Sequence, residues 1–297
     1  MQNRILLIIS VVLSLILTFI SSRHTTFFNT YPNISIKDPI NNNITSISLE
    51  DYVVGVVAAE MPASFHNEAL KAQAIASRTY AAFKMNDNFK EYDVVTDVSD
   101  QSYITVDEMK KKWKDEFNKY YSKIKNAVDE TKGQVMYYDD KVIEAYYFAI
   151  SNGYTENSEL VFSESRDYLQ SVESSYDVKT KNFKVEKTFS KQEICAKLNI
   201  ECNKLIFSNI KRSKTNRVSS ITVSGVEFKG TTFRNKLGLR STDFSIEEKN
   251  NEIIITTKGY GHGVGMSQYG ANGMAKDGYS YSEILKYYYK NIKISSI

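Results

Sequence analysis

The chain has 297 residues, of which 42% are hydrophobic and 25% are charged. This composition excludes a disordered chain and predicts one large or two small domains with a substantial core. The net charge of +3 is too small to indicate a nucleic-acid partner. The two cysteines, Cys195 and Cys202, exclude a disulfide framework, although they could form one bridge if the domain lies outside the cytoplasm.

The first part of the chain is apolar. No charge occurs from Ile5 to Ile20, and with the two serines that follow, the segment reaches the roughly 17–25 residues of a transmembrane helix. Arg4 precedes it, and no clear cleavage site follows it. We therefore expect an uncleaved anchor at 1–22 and a single-pass protein of the cell membrane, with the rest of the chain on the extracytoplasmic side. The polar residues 23–43 predict a linker, and 44–297 the folded region.

The folded region begins with a strand and two helices. The letters ITSISL, from Ile44, predict the strand, and LEDYVVGVVAAE predicts a helix with Ser48 as its N-cap. Asn67 is a candidate cap for the second helix, with Glu68 in its first turn. Small residues form a stripe along that helix, so another backbone can approach closely and we expect the helix to be central.

The later elements alternate between helices and strands. A mixed-charge helix is predicted over about Val106 to Val128, and a hairpin turns at Asp139-Asp140. Further strands and a turn are predicted in VSSITVSG, VEFKGTTFRNKLGL and NEIIITTKG, and Ser280 and Glu283 form a capping box for the last helix. The predicted fold class is α+β, with mixed helices and mainly antiparallel strands.

The glycine-rich stretch GYGHGVG, from Gly259 to Gly265, lies between a strand and a helix. It lacks the Gly-Lys-Ser/Thr of a P-loop, and the chain ends too soon for a dinucleotide-binding unit. The glycines therefore indicate positive φ angles or a close backbone approach. Two interpretations of His262 stay open: it is accessible to a ligand that approaches the glycines, or it locks a tight turn by hydrogen bonds. No Gly-x-Ser-x-Gly is present for a serine hydrolase.

Glu60 is a single carboxylate that follows four small apolar residues. Burial among them would raise its pKa, which suits a general acid at neutral pH. The alternative is a structural glutamate that caps the next helix or pairs with Lys71 or Arg78.

Several long motifs extend this interpretation, and they span about Ile44 to Ile292. They resemble the stage II sporulation protein D family, which is related to the amidase-enhancer proteins of cell-wall lysis. The matching stretches are, in order, GVVAAEMPASFHNEALKAQAIASRTYA, ISNGYTENSE, YLQSVES, FRNKLGLRST and GYGHGVGMSQYGANGMAKDGYSYSEILKYYY.

The resemblance implies a membrane-anchored lytic transglycosylase with a glycan-binding cleft. Such an enzyme cleaves the β-1,4 bond between N-acetylmuramic acid and N-acetylglucosamine in peptidoglycan strands and leaves a 1,6-anhydro end. In the family this activity serves engulfment during sporulation, with a partner amidase that removes stem peptides and a membrane scaffold protein. Glu60 matches the family's catalytic acid, and one carboxylate suffices because the C6 hydroxyl of the substrate is the nucleophile.

The resemblance also implies residues that bind the glycan, although each of them could instead be structural. No cofactor is expected. Some members bind zinc beside a Gln-x-Tyr segment, which matches Gln101 to Tyr103 here, but Asp100 precedes this segment and no Cys or His lies between His66 and Cys195. The implied substrate-binding residues are Lys71, Arg78, Gln101, Tyr103, Ser151, Asn152, Gly153, His262 and Gln268.

Two other functions stay open at this point. One is a muramidase that uses water, helped by Asp97, Asp100, Glu156 or Glu159. The other is a non-catalytic module that binds glycan and stimulates an amidase.

Overall fold

The computed structural model describes residues 32–86, 91–162, 164–202 and 204–297. Within these ranges, no helix is both long and apolar enough to cross a bilayer. That finding corrects the prediction of a single-pass membrane protein. The segment on which the prediction was based, 1–22, lies outside the described residues. Part of the expected linker is structured, because Asn33–Lys37 forms a strand.

The predicted helices occur in the predicted order, and the first of them has the predicted bounds, but the helices over Glu159–Phe162 and Lys191–Leu198 were not predicted. Ser48 caps it and accepts a hydrogen bond from the Asp51 amide. The second helix begins at Asn67, but its N-cap is His66, whose ring accepts from the Glu68 amide, so the predicted cap was one residue late. The α-helices are α1 (Leu49–Glu60), α2 (Asn67–Met85), α3 (Val106–Trp113), α4 (Phe117–Glu130), α5 (Glu159–Phe162), α6 (Lys191–Leu198), α7 (Gly230–Leu237), α8 (Gln268–Lys276) and α9 (Tyr281–Tyr288).

The strands form small sheets that are mainly antiparallel, as predicted. Parallel pairing occurs between β1 (Asn33–Lys37) and β3 (Val94–Val95) and between β6 (Tyr147–Phe148) and β13 (Met266–Ser267). The turn at Asp139-Asp140 has positive φ at both residues and joins β4 (Gln134–Tyr138) to β5 (Lys141–Val142). The strands are β1 (Asn33–Lys37), β2 (Ile44–Ser48), β3 (Val94–Val95), β4 (Gln134–Tyr138), β5 (Lys141–Val142), β6 (Tyr147–Phe148), β7 (Lys184–Ser190), β8 (Phe207–Arg212), β9 (Val218–Val223), β10 (Val226–Lys229), β11 (Phe244–Lys249), β12 (Glu252–Lys258), β13 (Met266–Ser267) and β14 (Lys293–Ser296).

Two predicted elements differ from the structure. The helix expected over about Val106 to Val128 is broken at Lys114, whose φ of 47° cannot continue a right-handed helix. The stretch from Val226 to Leu239 was expected to form strands and a turn. It forms β10 and then α7, which ends at Gly238 in the left-handed conformation.

The buried apolar residues form two clusters within Ile34–Ile297. In the larger, α2 packs against α1, α4, β4, α8 and α9, so the expectation that α2 is central is confirmed. The smaller cluster belongs to residues 184–258, where β7, β11 and β12 form one sheet and β8 to β10 another. We call these residues the small lobe. Cys195 and Cys202 form a disulfide within it.

A buried ion pair joins α1 to α2. Arg78 is fully buried, and its Nε and Nη2 donate to the two carboxylate oxygens of Glu50 at 2.9 and 2.6 Å. The guanidinium also donates to the carbonyls of Gln134 and Val128, and the Gly133 amide donates to Glu50. The pair therefore connects both helices to the start of β4.

We expect Arg78→Met to lower the free energy of unfolding by about 3–5 kcal/mol, because it leaves the Glu50 carboxylate buried without its cation. Lys71→Met is the matched control on the same helix. Lys71 pairs with Glu68 and Glu130 near the surface, and its loss should cost about 1 kcal/mol or less. Denaturant unfolding measures both variants, and equal midpoints would contradict the structural role of Arg78.

Candidate active site

An open pocket of about 810 Å³ lies where the C-terminal end of α1, the segment before α3, β6, the glycine-rich stretch and α7 of the small lobe meet. Apolar and aromatic side chains form much of its wall, with a few polar groups between them, as is common in ligand sites. The lining residues are Ala59, Glu60, Tyr80, Val98, Ser99, Asp100, Gln101, Ser102, Ala145, Tyr146, Tyr147, Phe148, Ala149, Phe162, Arg234, Asn235, Tyr260, Gly261, His262 and Gln268.

Glu60 is the last residue of α1, and its carboxyl group is held from two sides of the pocket. The Ser102 amide donates to Oε1 at 3.0 Å, and the Gln268 side-chain amide donates to Oε2 at 3.3 Å. The side chain is only half-buried, so the group is oriented by protein donors and still faces the pocket.

Burial raises the pKa of Glu60 above its ordinary value. The hydrogen bonds from Ser102 and Gln268 and the nearby charge of Lys112 oppose this increase without cancelling it. The helix C-terminus adds an unfavourable interaction with a carboxylate, because the helix dipole is negative at that end. Glu60 therefore keeps its proton to a higher pH than an exposed glutamate does.

The donor from Ser102 depends on a close approach of two backbones. Gly55 of α1 lies against the ring of Tyr103, and the Ile104 amide donates to the Gly55 carbonyl at 3.3 Å. The Tyr103 ring also stacks on Tyr52, with ring centroids 5.6 Å apart. A residue larger than glycine at position 55 would displace this segment.

Gln101 fixes the other side of the same segment. It is buried, accepts from the Tyr52 hydroxyl and donates to the Tyr147 hydroxyl at 2.9 Å. Its amide is thus committed to protein partners, and its role at the pocket wall is to hold α1, β6 and the Ser102 donor in place.

His262 lies in the pocket wall as a neutral ring. Nδ1 accepts from the Val264 amide at 3.1 Å, so the proton is on Nε2, which donates to the Tyr147 carbonyl at 3.0 Å. Burial, with the charges of Arg234 and Arg217, lowers its pKa to about 4. These contacts favour the alternative in which His262 locks a tight turn by hydrogen bonds.

The glycine-rich stretch has the properties that the sequence predicted. Gly261 and Gly265 have φ of 118° and 77°. A Cβ at Gly261 would lie 2.6 Å from the Cβ of Phe148, and one at Gly265 would lie 2.0 Å from the Tyr146 carbonyl oxygen. The stretch can therefore pack directly on β6 and present His262 beside it.

The structure brings Glu60, Gln101, His262 and Gln268 together at the pocket. Six other candidates are absent from the lining, namely Lys71, Arg78, Tyr103, Ser151, Asn152 and Gly153. Lys71 and Arg78, both on α2, pair with Glu130 of α4 and Glu50 of α1, and Tyr103 packs on α1. For these three residues the contacts favour the structural alternative.

Ser151, Asn152 and Gly153 lie outside the pocket lining, between the larger cluster and the small lobe. The Ser151 hydroxyl donates to the buried Asp177 at 2.8 Å, and the Gly153 amide donates back to Ser151. Asn152 donates to Asp243 at 2.8 Å and to the Thr215 carbonyl at 2.7 Å. These contacts favour a role in attaching the small lobe.

Besides Glu60, one further carboxylate is present in the described lining, that of Asp100. It accepts from the Tyr80 hydroxyl and the Val95 amide and pairs with Lys84 at 2.9 Å. Burial alone would raise its pKa, but these partners outweigh burial and the pKa is lowered. Asp100 is therefore an ionised group that is already neutralised by the protein.

The sequence interpretation missed the pocket residues of the small lobe, Arg234 and Asn235. They lie on α7, which was predicted as strand and turn because valine, phenylalanine and threonine are frequent around it. The Leu237-Gly238 pair was the available signal, since glycine is typical just after a helix. Tyr260 was also missed, and it lines the pocket with nearly half of its surface exposed.

We expect Gly55→Ala to raise the pKa of Glu60 further. The added methyl group would lie 2.1 Å from Cε2 of Tyr103, so the segment must move and weaken the Ser102 hydrogen bond that stabilises the carboxylate. Carboxyl-carbon NMR titration measures this shift. An unchanged Glu60 pKa in a folded Gly55→Ala protein would show that the contact does not position the donor.

Glu60→Gln should be as stable as the native protein at low pH and more stable at neutral pH. Ionised Glu60 is disfavoured in the folded state, so the native protein loses stability as pH rises above the unfolded pKa and through the raised folded pKa. Thermal unfolding between pH 4 and pH 8 measures the difference.

Glu68→Gln is the control, because the stability contributed by Glu68 should change with pH in the opposite direction. The pKa of Glu68 is lowered, because the hydrogen bonds from Lys71 and the Tyr281 amide outweigh its desolvation. Its stabilising effect is therefore present at neutral pH and lost as pH falls. A Glu60→Gln protein that is less stable than the native one at neutral pH would contradict the burial argument.

Comparisons with known proteins identify the family to which the chain belongs. A family model described as "Stage II sporulation protein" matches residues 40–138, which include α1, α2 and Ser102. The stage II sporulation proteins D of Bacillus amyloliquefaciens and of Bacillus subtilis (strain 168) are 42% and 40% identical over 262 and 270 residues. The alignments cover 86% and 89% of this chain and 76% and 79% of those proteins.

A protein of Bacillus subtilis (strain 168) named "Amidase enhancer" is 31% identical, with 82% of this chain and 40% of that protein covered. The two sporulation relatives match most of their own length as well as most of this chain. The chain therefore belongs to the stage II sporulation protein D family.

Proposed function

We propose that the protein is a lytic transglycosylase that cleaves the bond between N-acetylmuramic acid and N-acetylglucosamine in peptide-free peptidoglycan strands. The observation that carries the proposal is Glu60, a carboxyl group with a raised pKa that two amide donors orient into an open pocket. Family membership adds a setting in sporulation, where we propose that it acts during engulfment after an amidase has removed the stem peptides.

The first step uses Glu60 as the acid. Its proton moves to the oxygen of the β-1,4 bond, and the bond between that oxygen and C1 of N-acetylmuramic acid breaks. The N-acetylglucosamine part leaves with a free 4-hydroxyl, and positive charge develops at C1 and the ring oxygen. The raised pKa supports this role because Glu60 keeps its proton to a higher pH than an exposed glutamate does.

The second step uses the same group as the base. Glu60 is now a carboxylate, stabilised by the Ser102 amide and the Gln268 side chain. It takes the proton from the C6 hydroxyl of the muramic acid as that oxygen bonds to C1. The products are a 1,6-anhydro end and a regenerated acid, so water is neither consumed nor released.

The state of Asp100 favours this route over hydrolysis. A hydrolase commonly uses a second carboxylate as nucleophile or as base for water. Asp100 is bound to Lys84, Tyr80 and Val95, and Glu156 accepts from Ser213 away from the described pocket lining. A nucleophile supplied by the sugar removes the need for a second carboxylate.

Glu60→Gln should lower kcat for peptide-free glycan strands by about 10²–10⁴-fold, the usual contribution of a general acid or base. In the native protein, kcat/KM should fall as pH rises through the raised pKa of Glu60, because the first step needs the protonated form. Product release is followed by chromatography of the soluble fragments.

Mass spectrometry of the products then separates the mechanisms. A transglycosylase leaves each new end one water lighter than hydrolysis does. New reducing ends would instead identify a muramidase. If the native protein forms neither kind of end but accelerates an amidase, the activity that one relative's name describes would replace the proposal. The full chain is used throughout, with Glu68→Gln as the variant that changes a carboxylate outside the pocket.

A further inference from the structure

The described lining of the pocket contains two basic side chains, Arg234 and His262. Because the pKa of His262 is lowered and its ring is neutral at neutral pH, Arg234 is the one that carries a positive charge. It lies on α7, so it reaches the pocket from the small lobe. Its Nε donates to the Leu239 carbonyl at 3.3 Å, which fixes the plane of the guanidinium group. Its two terminal nitrogens have no hydrogen-bond partner among the described residues.

Three other arginines lie beside carboxylates, whereas Arg217 donates to the Thr215 hydroxyl and the Tyr154 carbonyl, and Arg240 stacks on the Tyr260 ring. Arg78 binds Glu50, Arg166 binds Glu144 and Arg212 approaches Asp243. No described carboxylate lies within 4 Å of a nitrogen of Arg234. A partly buried guanidinium group without an anion is unfavourable, and burial indeed lowers its pKa. The charge also acts on the pocket interior, because it helps to lower the pKa of His262.

The described lining therefore contains two carboxyl groups, Glu60 and Asp100, and one positively charged group without an anionic partner. Glu60 must take and release a proton, and a guanidinium ion bound to it would keep it ionised. Asp100 is neutralised by Lys84. Arg234 pairs with neither of them, which leaves its terminal nitrogens for a group that arrives with the ligand.

We propose that Arg234 binds the free lactyl carboxylate of an N-acetylmuramic acid residue and thereby selects peptide-free strands. This inference rests on the proposed function and deepens it. A lactyl group carries a carboxylate when no stem peptide is attached and a neutral amide when one is. Two terminal nitrogens of one guanidinium group match the two oxygens of a carboxylate, whereas an amide offers them one acceptor and no charge.

The test compares strands with free lactyl carboxylates and the same strands converted to neutral N-methylamides. On native strands, Arg234→Gln should lower kcat/KM by about 10- to 100-fold, the range for hydrogen bonds to a charged group. Amidation should cost the native protein a similar factor and cost Arg234→Gln almost nothing. Arg234→Lys should keep part of the preference, since it keeps the charge without the paired donors.

Lys236→Gln is the matched control, because Lys236 is an exposed cation on the same helix outside the pocket lining. It should keep the full preference for carboxylate strands. Equal loss by Arg234→Gln on both substrates, or a native protein indifferent to amidation, would overturn the proposal. Thermal unfolding shows whether each variant is folded. If Arg234→Gln is unfolded, the preference of Arg234→Lys for carboxylate strands tests the proposal instead.

A binding measurement separates this proposal from the proposed activity. The Kd of fluorescent strands is measured for Glu60→Gln, alone and combined with Arg234→Gln. A preference for carboxylate strands that the second substitution removes supports the role of Arg234, even if the native protein proves to form no anhydro ends. Equal Kd values for the two kinds of strand in Glu60→Gln would refute it, whatever the activity.

Discussion

The close approach of α1 and the segment from Gln101 to Ile104 is the contact on which the pocket depends. A carboxyl group at the C-terminal end of a helix has no helical amide to bind, so its donors must come from elsewhere in the chain. Gly55 lets the Tyr103 ring lie on α1, and the segment then passes close enough for the Ser102 amide to reach Glu60. Gln101 holds the same segment to β6 through Tyr147.

The balance between burial and donors decides what Glu60 can do. With burial alone the group would hold its proton too tightly to act as a base, and with stronger donors or a paired cation it would lose the proton that an acid needs. Two neutral amide donors and the charge of Lys112 oppose the effect of burial, and the pKa is still raised. The buried pair of Arg78 and Glu50 shows the other extreme, in which a guanidinium group and a backbone amide bind the carboxylate.

Local signals predicted much of this arrangement. The caps and periodicity predicted α1, the hairpin at Asp139-Asp140 and the capping box of α9, since each depends on residues a few positions apart. Glu60 could be predicted because its apolar neighbours are adjacent in sequence. The partners of Glu60 could not, because Ser102 and Gln268 lie 42 and 208 positions away. Arg234 was missed for a related reason, since local propensity favoured strand where packing of the small lobe forms α7.

The division of the fold into two clusters gives the contacts of Ser151 to Gly153 their significance. Asn152 binds Asp243 and the Thr215 carbonyl, and Arg217 of the small lobe donates to the Tyr154 carbonyl at 2.9 Å. The Gly261 amide also donates to the Arg240 carbonyl at the pocket edge. These bonds fix the position of α7 relative to the C-terminal end of α1. The loop from Ser151 to Gly153, which the sequence suggested as a sugar-binding segment, thus contacts the small lobe and lies outside the pocket lining. If the chemistry belongs to the larger cluster and the recognition of charge to the small lobe, this attachment is what makes the two groups parts of one site.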